Sequence, residues 1–123
     1  MQEIELWGCR RRVLVFHGRN ILLHPGNIRY ILQSKNAGLL ISKGKALECN
    51  TAGFKYGLGH LHPYEEILKR YRELGGELLT VGSDGHRPNE VGGYFEQAAE
   101  ILKSCGFRYY TVYRERNPVF LEL

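Results

Sequence analysis

The sequence has few cysteines, no long apolar run and only a small excess of one charge. Cys9, Cys49 and Cys105 are an odd number without metal-type spacing, which excludes a disulfide framework and a cysteine-based zinc motif. No apolar span reaches the length of a membrane helix, and the chain shows no secretory signal. We therefore expect a protein of the reducing cytoplasm, without a membrane partner.

The charge balance also argues against nucleic acid as a partner. Lys and Arg together number 17 and Asp and Glu 13, a formal net charge of +4. Apart from residues 10–12 the basic side chains are dispersed, and no aromatic residues alternate with them as a base-stacking surface would need. A mild basic excess of this kind is typical of a soluble protein.

The length of 123 residues and the hydrophobic content of 43% fit one domain with a modest core. Residues 1–43 match recognisable patterns poorly: short strands are predicted at 12–16 and 21–23 and a helix over 27–42, which Gly44 ends. From residue 46 the pattern is clearer. We therefore treat residues 1–43 and 44–123 as separate segments.

The second segment alternates strands and helices. A strand is predicted at 46–50, a glycine-punctuated loop at 51–59, a helix at 63–74, a strand at 76–81 and a helix at 90–104. Two strands, 109–113 and 118–121, follow around the charged turn 114–117. This order predicts an α/β fold with parallel strands, whose ligand sites lie at the carboxyl ends of the strands.

The turn after the strand at 76–81 carries the most suggestive chemistry. Asp84 and His86 stand two residues apart in the stretch GSDGHRP, residues 82–88. A carboxylate oxygen and an imidazole nitrogen on the same side of an extended chain are suitable ligands for a divalent metal. Two ligands do not make a site, however, and Asp-Gly is also a common turn dipeptide, so a purely structural turn stays open on this pattern alone.

Four stretches, in order, resemble the C-terminal part of a histidinol-phosphate phosphatase of the polymerase-and-histidinol-phosphatase (PHP) family. They are GKALECNTAGFKYGL at 44–58, His62-Pro63 followed by EEIL at 65–68, GSDGHRP at 82–88, and GFRYYTV at 106–112. They lie in the segment of residues 44–123, which makes up about two-thirds of the chain. Their order makes the resemblance far more specific than any one stretch would.

The resemblance implies the C-terminal strands and helices of a distorted (βα) barrel, here a partial PHP-type barrel. It implies divalent metal ions, Zn, Mn or Fe, that help hydrolyse L-histidinol phosphate to histidinol and phosphate in histidine biosynthesis. Asp84 and His86 match the late Asp-x-His ligand pair of the family. Lys55 stands where members often carry an arginine and is a candidate for binding substrate phosphate, as is Arg87 beside the ligands.

The sequence also departs from the family. Its early His-x-His motif and middle ligands are missing, and Cys9 stands where a Trp-Gly-His step would place a histidine. His60 and His62 have His-x-His spacing but precede a helix start, where we expect capping or solvent exposure. We therefore expect a truncated phosphatase with weak or no activity alone, one that forms a homo-oligomer or uses a companion chain.

Two other functions stay open at this point. One is a non-catalytic α/β module that binds a phosphorylated small molecule or a protein partner. The other is metal-dependent phosphoesterase activity on a different substrate. The number of convergent metal ligands separates the first of these from an enzyme, since catalysis needs three or more.

Overall fold

The computed structural model describes residues 13–14 and 37–123, and these form an α/β fold, as predicted. The strands are β1 (Val13–Leu14), β2 (Ala46–Asn50), β3 (Leu79–Gly82), β4 (Tyr109–Arg114) and β5 (Asn117–Glu122). The helices are α1, described over residues 37–42, α2 (Ala52–Lys55), α3 (Glu65–Glu73) and α4 (Phe95–Ser104), with a 3-10 turn at Pro88–Glu90. These residues form two small sheets and no barrel, so the partial barrel stays a prediction.

The first sheet is parallel and has the order β1-β2-β3. Ala46, Leu47 and Cys49 of β2 are buried, as expected for a strand covered on both faces. Its register with β3 places Asn50 beside Gly82. The carboxyl ends of β2 and β3 therefore lie side by side, and the loops that follow them start from the same edge.

Helix α3 forms where the sequence predicts it. Glu65 and Glu66 lie in the first turn and Arg70 and Arg72 in the last, so both ends carry charges that complement the helix dipole. The inward face consists of buried side chains, namely Ile67, Leu68 and Tyr71. The Tyr71 hydroxyl donates to the Leu78 carbonyl oxygen at 2.7 Å, and burial raises the pKa of this tyrosine to about 12.

Helix α4 begins later than the predicted residue 90. The 3-10 turn at Pro88–Glu90 comes first, and Gly92 and Tyr94 then adopt positive φ angles of 72° and 63°. A left-handed residue cannot continue a right-handed helix, so α4 starts only at Phe95. The predicted loop at 51–59 likewise contains the short helix α2.

Strands β4 and β5 form an antiparallel hairpin, as the two strands around a charged turn predict. Glu115 and Arg116 occupy the turn with φ angles of 49° and 69°, the signature of a type I′ turn. The Thr111 hydroxyl of β4 accepts the Leu79 N–H of β3 at 3.3 Å, which joins the hairpin to the parallel sheet.

The core lies between the parallel sheet and helices α3 and α4. Its buried side chains come from helices α1, α3 and α4, from strands β2 and β3, and from the segments around residues 61 and 107. They include Leu40, Leu47, Leu61, Leu68, Tyr71, Leu79, Ala98, Leu102, Cys105 and Phe107. Within the described residues, no helix is both long and apolar enough to cross a membrane. The predicted strand at 21–23, most of the helix at 27–42 and Cys9 lie outside the described residues.

Candidate functional site

The candidate site lies at the carboxyl edge of β2 and β3. The N–H of Thr51, directly after β2, donates to the Gly82 carbonyl oxygen at the end of β3, at 2.8 Å. Helix α2 and the loop of residues 83–94 therefore start next to each other. We call this segment, residues 83–94, the β3–α4 loop.

The β3–α4 loop is fixed at both ends by side chains. The Thr51 hydroxyl donates to the Gly93 carbonyl oxygen at 2.7 Å, and the Gly92 N–H donates to the Ser83 hydroxyl at 3.1 Å. In the middle, a Cβ at Gly85 would lie 3.1 Å from the backbone carbon of Glu90. The loop thus folds back on itself so tightly that residue 85 has little room for a side chain.

Asp84 and His86 are exposed in this loop, beyond the end of β3, where the sequence places them. Asp84 has a positive φ of 49°, which turns the chain so that its own carbonyl oxygen lies 2.9 Å from His86 Nδ1. A carbonyl oxygen only accepts, so Nδ1 carries the proton in this contact and Nε2 of the neutral ring has a free lone pair. Histidines that bind metals are commonly oriented in this way.

Lys55, at the end of α2, reaches across to the same loop. Its Nζ donates to the Asp84 carbonyl oxygen at 3.0 Å and to Glu90 Oε2 at 3.3 Å, and it lies 4.8 Å from the centre of the Tyr56 ring. Burial lowers the pKa of Lys55, but the hydrogen bonds to Glu90 and Tyr56 outweigh it and the net pKa is raised. The ammonium group predicted to bind phosphate is therefore held beside the candidate ligands by an acidic residue of the loop.

Glu90 is a residue that the sequence interpretation missed. Its Oε2 accepts a hydrogen bond from the His86 N–H at 2.9 Å and another from Lys55 Nζ. One carboxylate therefore contacts both the turn that carries Asp84 and His86 and the end of α2. The backbone hydrogen bond from His86 is the main reason why the pKa of Glu90 is lowered; burial opposes it and Lys55 adds to it. A carboxylate four residues after His86, just before a helix, was the available signal.

Arg87 is exposed in the β3–α4 loop, and its carbonyl oxygen accepts the Glu90 N–H at 3.0 Å. This bond closes the 3-10 turn and fixes the backbone at the residue that follows His86. Arg87 therefore stands in the same loop as the candidate ligands, directly after His86. Its contact with phosphate stays a prediction.

The described residues do not complete a metal centre. Over 13–14 and 37–123, no three His, Cys, Asp or Glu side chains are grouped so that they would hold a metal ion. The orientation of His86 suits a ligand, but Asp84 and His86 are only two, and a catalytic metal site needs three or more. A working metal centre would therefore need ligands in addition to these two.

His60 and His62 neither cap α3 nor lie free in solvent, which corrects the expectation for this pair. Tyr64 is the N-cap of α3 without a side-chain cap bond, and both histidines are half-buried. The His60 ring stacks on Tyr64 with centroids 3.9 Å apart and meets the His62 ring edge-on at 5.0 Å. The cause is the backbone bridge between Asn50 and His62, which lays this segment against the end of β2.

The two described cysteines are free and buried. Burial raises the pKa of Cys49 to about 12, with smaller contributions from Cys105 and Glu48. Burial also raises the pKa of Cys105. Both remain thiols at neutral pH and act as core residues, as the sequence predicts for Cys105.

Comparison with known proteins finds relatives that share one name. The chain is 40% identical over 74 residues to a probable histidinol-phosphatase of Thermotoga maritima. The aligned region covers 59% of this chain and 31% of that protein. It is 38% identical over 56 residues to a probable histidinol-phosphatase of Clostridium acetobutylicum, covering 46% of this chain and 18% of that protein. With the histidinol-phosphatase of Lactococcus lactis, it shares 34% identity over 68 residues, covering 55% and 25%.

These matches confirm the resemblance to the C-terminal portion of a histidinol-phosphatase that the sequence motifs indicate. The chain spans less than a third of the length of these curated relatives. No family model matches the chain.

Proposed function

We propose that the candidate site is part of a phosphatase site that hydrolyses L-histidinol phosphate to histidinol and phosphate in histidine biosynthesis. The observation that carries the proposal is that proteins named histidinol-phosphatase are 32–40% identical to this chain over aligned stretches of 56–81 residues. The described structure adds cations, an oriented histidine and a carboxylate at one sheet edge. That is the place where parallel α/β folds bind ligands.

In this proposal Asp84 and His86 contribute two ligands to a divalent metal centre of Zn, Mn or Fe. The free lone pair on His86 Nε2 supports a ligand role, because the Asp84 carbonyl oxygen keeps the proton on Nδ1. The remaining ligands would come from outside the described residues, from a second copy or from a companion chain. Such metals, when bound, polarise the phosphoryl oxygens and activate water.

Lys55 and Arg87 are proposed to bind the substrate phosphate. Both lie beside Asp84 and His86, and Lys55 Nζ is only 3.0 Å from the Asp84 carbonyl oxygen. Lysine offers a point charge rather than the bidentate fork of arginine, so its contribution is attraction more than orientation. To reach phosphate, Lys55 must give up part of its contact with Glu90.

Metal binding is the first test of this proposal. We expect Zn²⁺ or Mn²⁺ titrated calorimetrically into the purified chain to bind weakly, and the Asp84→Asn/His86→Ala variant to bind at least about tenfold more weakly still. The matched control is Glu73→Gln/Lys69→Ala, which neutralises one carboxylate and truncates one basic side chain at exposed positions on α3. Equal affinity in the site variant and the wild type would contradict the ligand assignment.

Phosphate release from L-histidinol phosphate, with added Mn²⁺ or Zn²⁺, tests the activity. We expect weak or no turnover by the purified chain, and loss of any turnover in the Asp84→Asn/His86→Ala variant. Turnover that survives in that variant would overturn the assignment of the site. Full turnover by the wild type would overturn the expectation that the described ligands are too few.

A non-catalytic module that binds a phosphorylated small molecule is the second candidate. It is favoured by the absence of a three-ligand group among the described residues, together with the two cations, Lys55 and Arg87. Binding of L-histidinol phosphate that persists in a chelator, and that weakens in a Lys55→Ala/Arg87→Ala variant, would support it. Binding that needs a metal would favour the phosphatase.

A further inference from the structure

Strand β5 has one edge without a neighbour in the part of the chain that the structure describes. It pairs with β4 along its whole length, Asn117–Glu122, and the two strands form a sheet of their own. An unpaired strand edge presents backbone N–H and C=O groups that readily pair with another strand. The identity of those groups follows from the hairpin register.

The type I′ turn fixes which backbone groups of β5 point outward. It is closed by the pair Arg114 and Asn117, and in an antiparallel ladder hydrogen-bonded and non-bonded pairs alternate. Residues 117, 119 and 121 therefore bond to β4, whereas residues 118, 120 and 122 direct their backbone groups away from it. Pro118 has no N–H, so the free donors of this edge are the N–H groups of Phe120 and Glu122.

The four central side chains of β5 are apolar and alternate between its two faces. Val119 and Leu121 are half-buried on one face, while Pro118 and Phe120 are exposed on the other, Phe120 with 46% of its surface. Tyr109 of β4 lies on the same face as Phe120 and is 45% exposed. An edge strand with exposed apolar side chains is prone to pair with another strand.

We propose that a second copy of this chain pairs with β5, antiparallel, about a two-fold axis at Phe120. In this register each Phe120 exchanges two backbone hydrogen bonds with the partner's Phe120. Each Glu122 N–H donates to the carbonyl oxygen of the partner's Pro118. Both free donors of the edge are then used, and the missing N–H of Pro118 leaves no donor unpaired.

Charge favours a second copy over an unrelated strand. The two-fold arrangement brings the Glu122 carboxylate to the end of the interface where the partner's turn lies, and that turn, residues 114–117, is net basic because it holds two arginines and one glutamate. The axis repeats this arrangement, so an acidic residue of one copy faces the basic turn of the other on both sides of the central Phe120 pair. Parallel pairing would instead place Glu122 beside the partner's Glu122, where like charges repel.

Sedimentation velocity and residue-resolved amide hydrogen exchange on the purified chain test this dimer. We expect the dimer to form as the protein concentration rises. The Phe120 and Glu122 amides should become protected from exchange over the same concentration range. The Val119 and Leu121 amides, bonded to β4, are the internal control and should be protected at every concentration. A monomer at all concentrations, or a dimer with rapidly exchanging Phe120 and Glu122 amides, would overturn the proposal.

Protection of these two amides that does not change with concentration would also overturn it, because a strand of the same chain would then occupy the edge. The variant Phe120→Lys places a charge at the two-fold axis and should weaken dimerisation at least about tenfold. Leu39→Lys, at a residue 49% exposed on α1, is the matched control and should leave dimerisation unchanged.

Phe120→Pro removes the outward N–H without adding charge and should weaken dimerisation in the same way. Circular dichroism and the melting temperature show whether each variant is folded. If both folded Phe120 variants dimerise like the wild type, or Leu39→Lys weakens the dimer as much as they do, the interface is elsewhere and the proposal fails.

Discussion

Gly53, in the short helix α2, is the residue on which the packing of the His60 segment depends. A Cβ there would collide with the His60 backbone carbonyl oxygen and lie 3.3 Å from the His62 ring. No side chain can be accommodated unless this backbone moves, and with it the bridge between Asn50 and His62. The glycine therefore allows the loop after α2 to return to the end of β2.

We expect Gly53→Ala to lower the free energy of unfolding by about 1–3 kcal/mol, the usual cost of overpacking a well-packed region. Urea denaturation measures the change. Gly38→Ala is the control, because Gly38 is helical and exposed and a Cβ there would meet nothing within 4 Å, so alanine should be neutral or stabilising. Equal effects at the two glycines would contradict the packing argument.

At the same scale, the sequence predicted which residues form the site better than it predicted their contacts. It placed Asp84 and His86 just after a buried strand and Lys55 in a neighbouring loop, and the structure puts all three at one sheet edge. It did not reveal Glu90, because the partners of a carboxylate depend on how the loop folds rather than on spacing. It did not foresee the burial of His60 and His62, which results from a long-range backbone bridge.

At the scale of elements, the β3–α4 loop is held against α2 by Glu90. Because the folded-state pKa of Glu90 is lowered, its stabilising contribution is complete above its ordinary pKa of 4.5 and is lost as pH falls through the lowered value. The raised pKa of Lys55 keeps that ammonium group charged throughout this range. Acid should therefore remove the Lys55–Glu90 ion pair, while the Lys55 bond to the Asp84 carbonyl oxygen and the Thr51 bond to the Gly93 carbonyl oxygen still join the loop to α2.

We expect Glu90→Gln to be less stable than the wild type near pH 6 and to approach it as pH falls below about 4. Urea denaturation at several pH values between about 3 and 6 measures this convergence. Glu100→Gln is the control: its carboxylate forms an exposed pair with Lys103 on α4, so its removal should leave the pH profile nearly unchanged. A constant difference between Glu90→Gln and the wild type would contradict the linkage.

The hairpin turn between β4 and β5 contains backbone strain whose effect on stability can be tested. Glu115 and Arg116 both have positive φ angles, a conformation that asparagine and glycine adopt more readily in type I′ turns. We expect Glu115→Asn/Arg116→Gly to raise the free energy of unfolding by about 1 kcal/mol, measured by urea denaturation.

Gly75→Ala is the converse control for this prediction. Gly75 has a φ of 93° and open space around a Cβ, so backbone strain alone should make alanine destabilising there. Destabilisation by the turn variant, or no effect of Gly75→Ala, would show that positive φ is not what limits stability at these positions.

At the scale of the whole molecule, the order of elements was predictable from residue 46 onward because apolar periodicity and glycine stops are local. Helix α3 and the hairpin match their predicted positions within about two residues. The start of α4 was predicted too early, because a 3-10 turn and the left-handed residue Tyr94 come before the helix begins at Phe95. The hairpin is joined to β3 through long-range contacts such as the bond from the Leu79 N–H to the Thr111 hydroxyl, which no local pattern encodes.

The two sheets also differ in how far apart along the chain their strands are, and this has a kinetic consequence. Strands β4 and β5 need only Glu115 and Arg116 to turn, whereas β2 meets β3 only after residues 51–78 have been ordered. Closing a short loop loses less chain entropy and takes less time, so the hairpin forms early and the parallel pairing late. A denatured chain that refolds therefore exposes the outer edge of β5 before the candidate site exists.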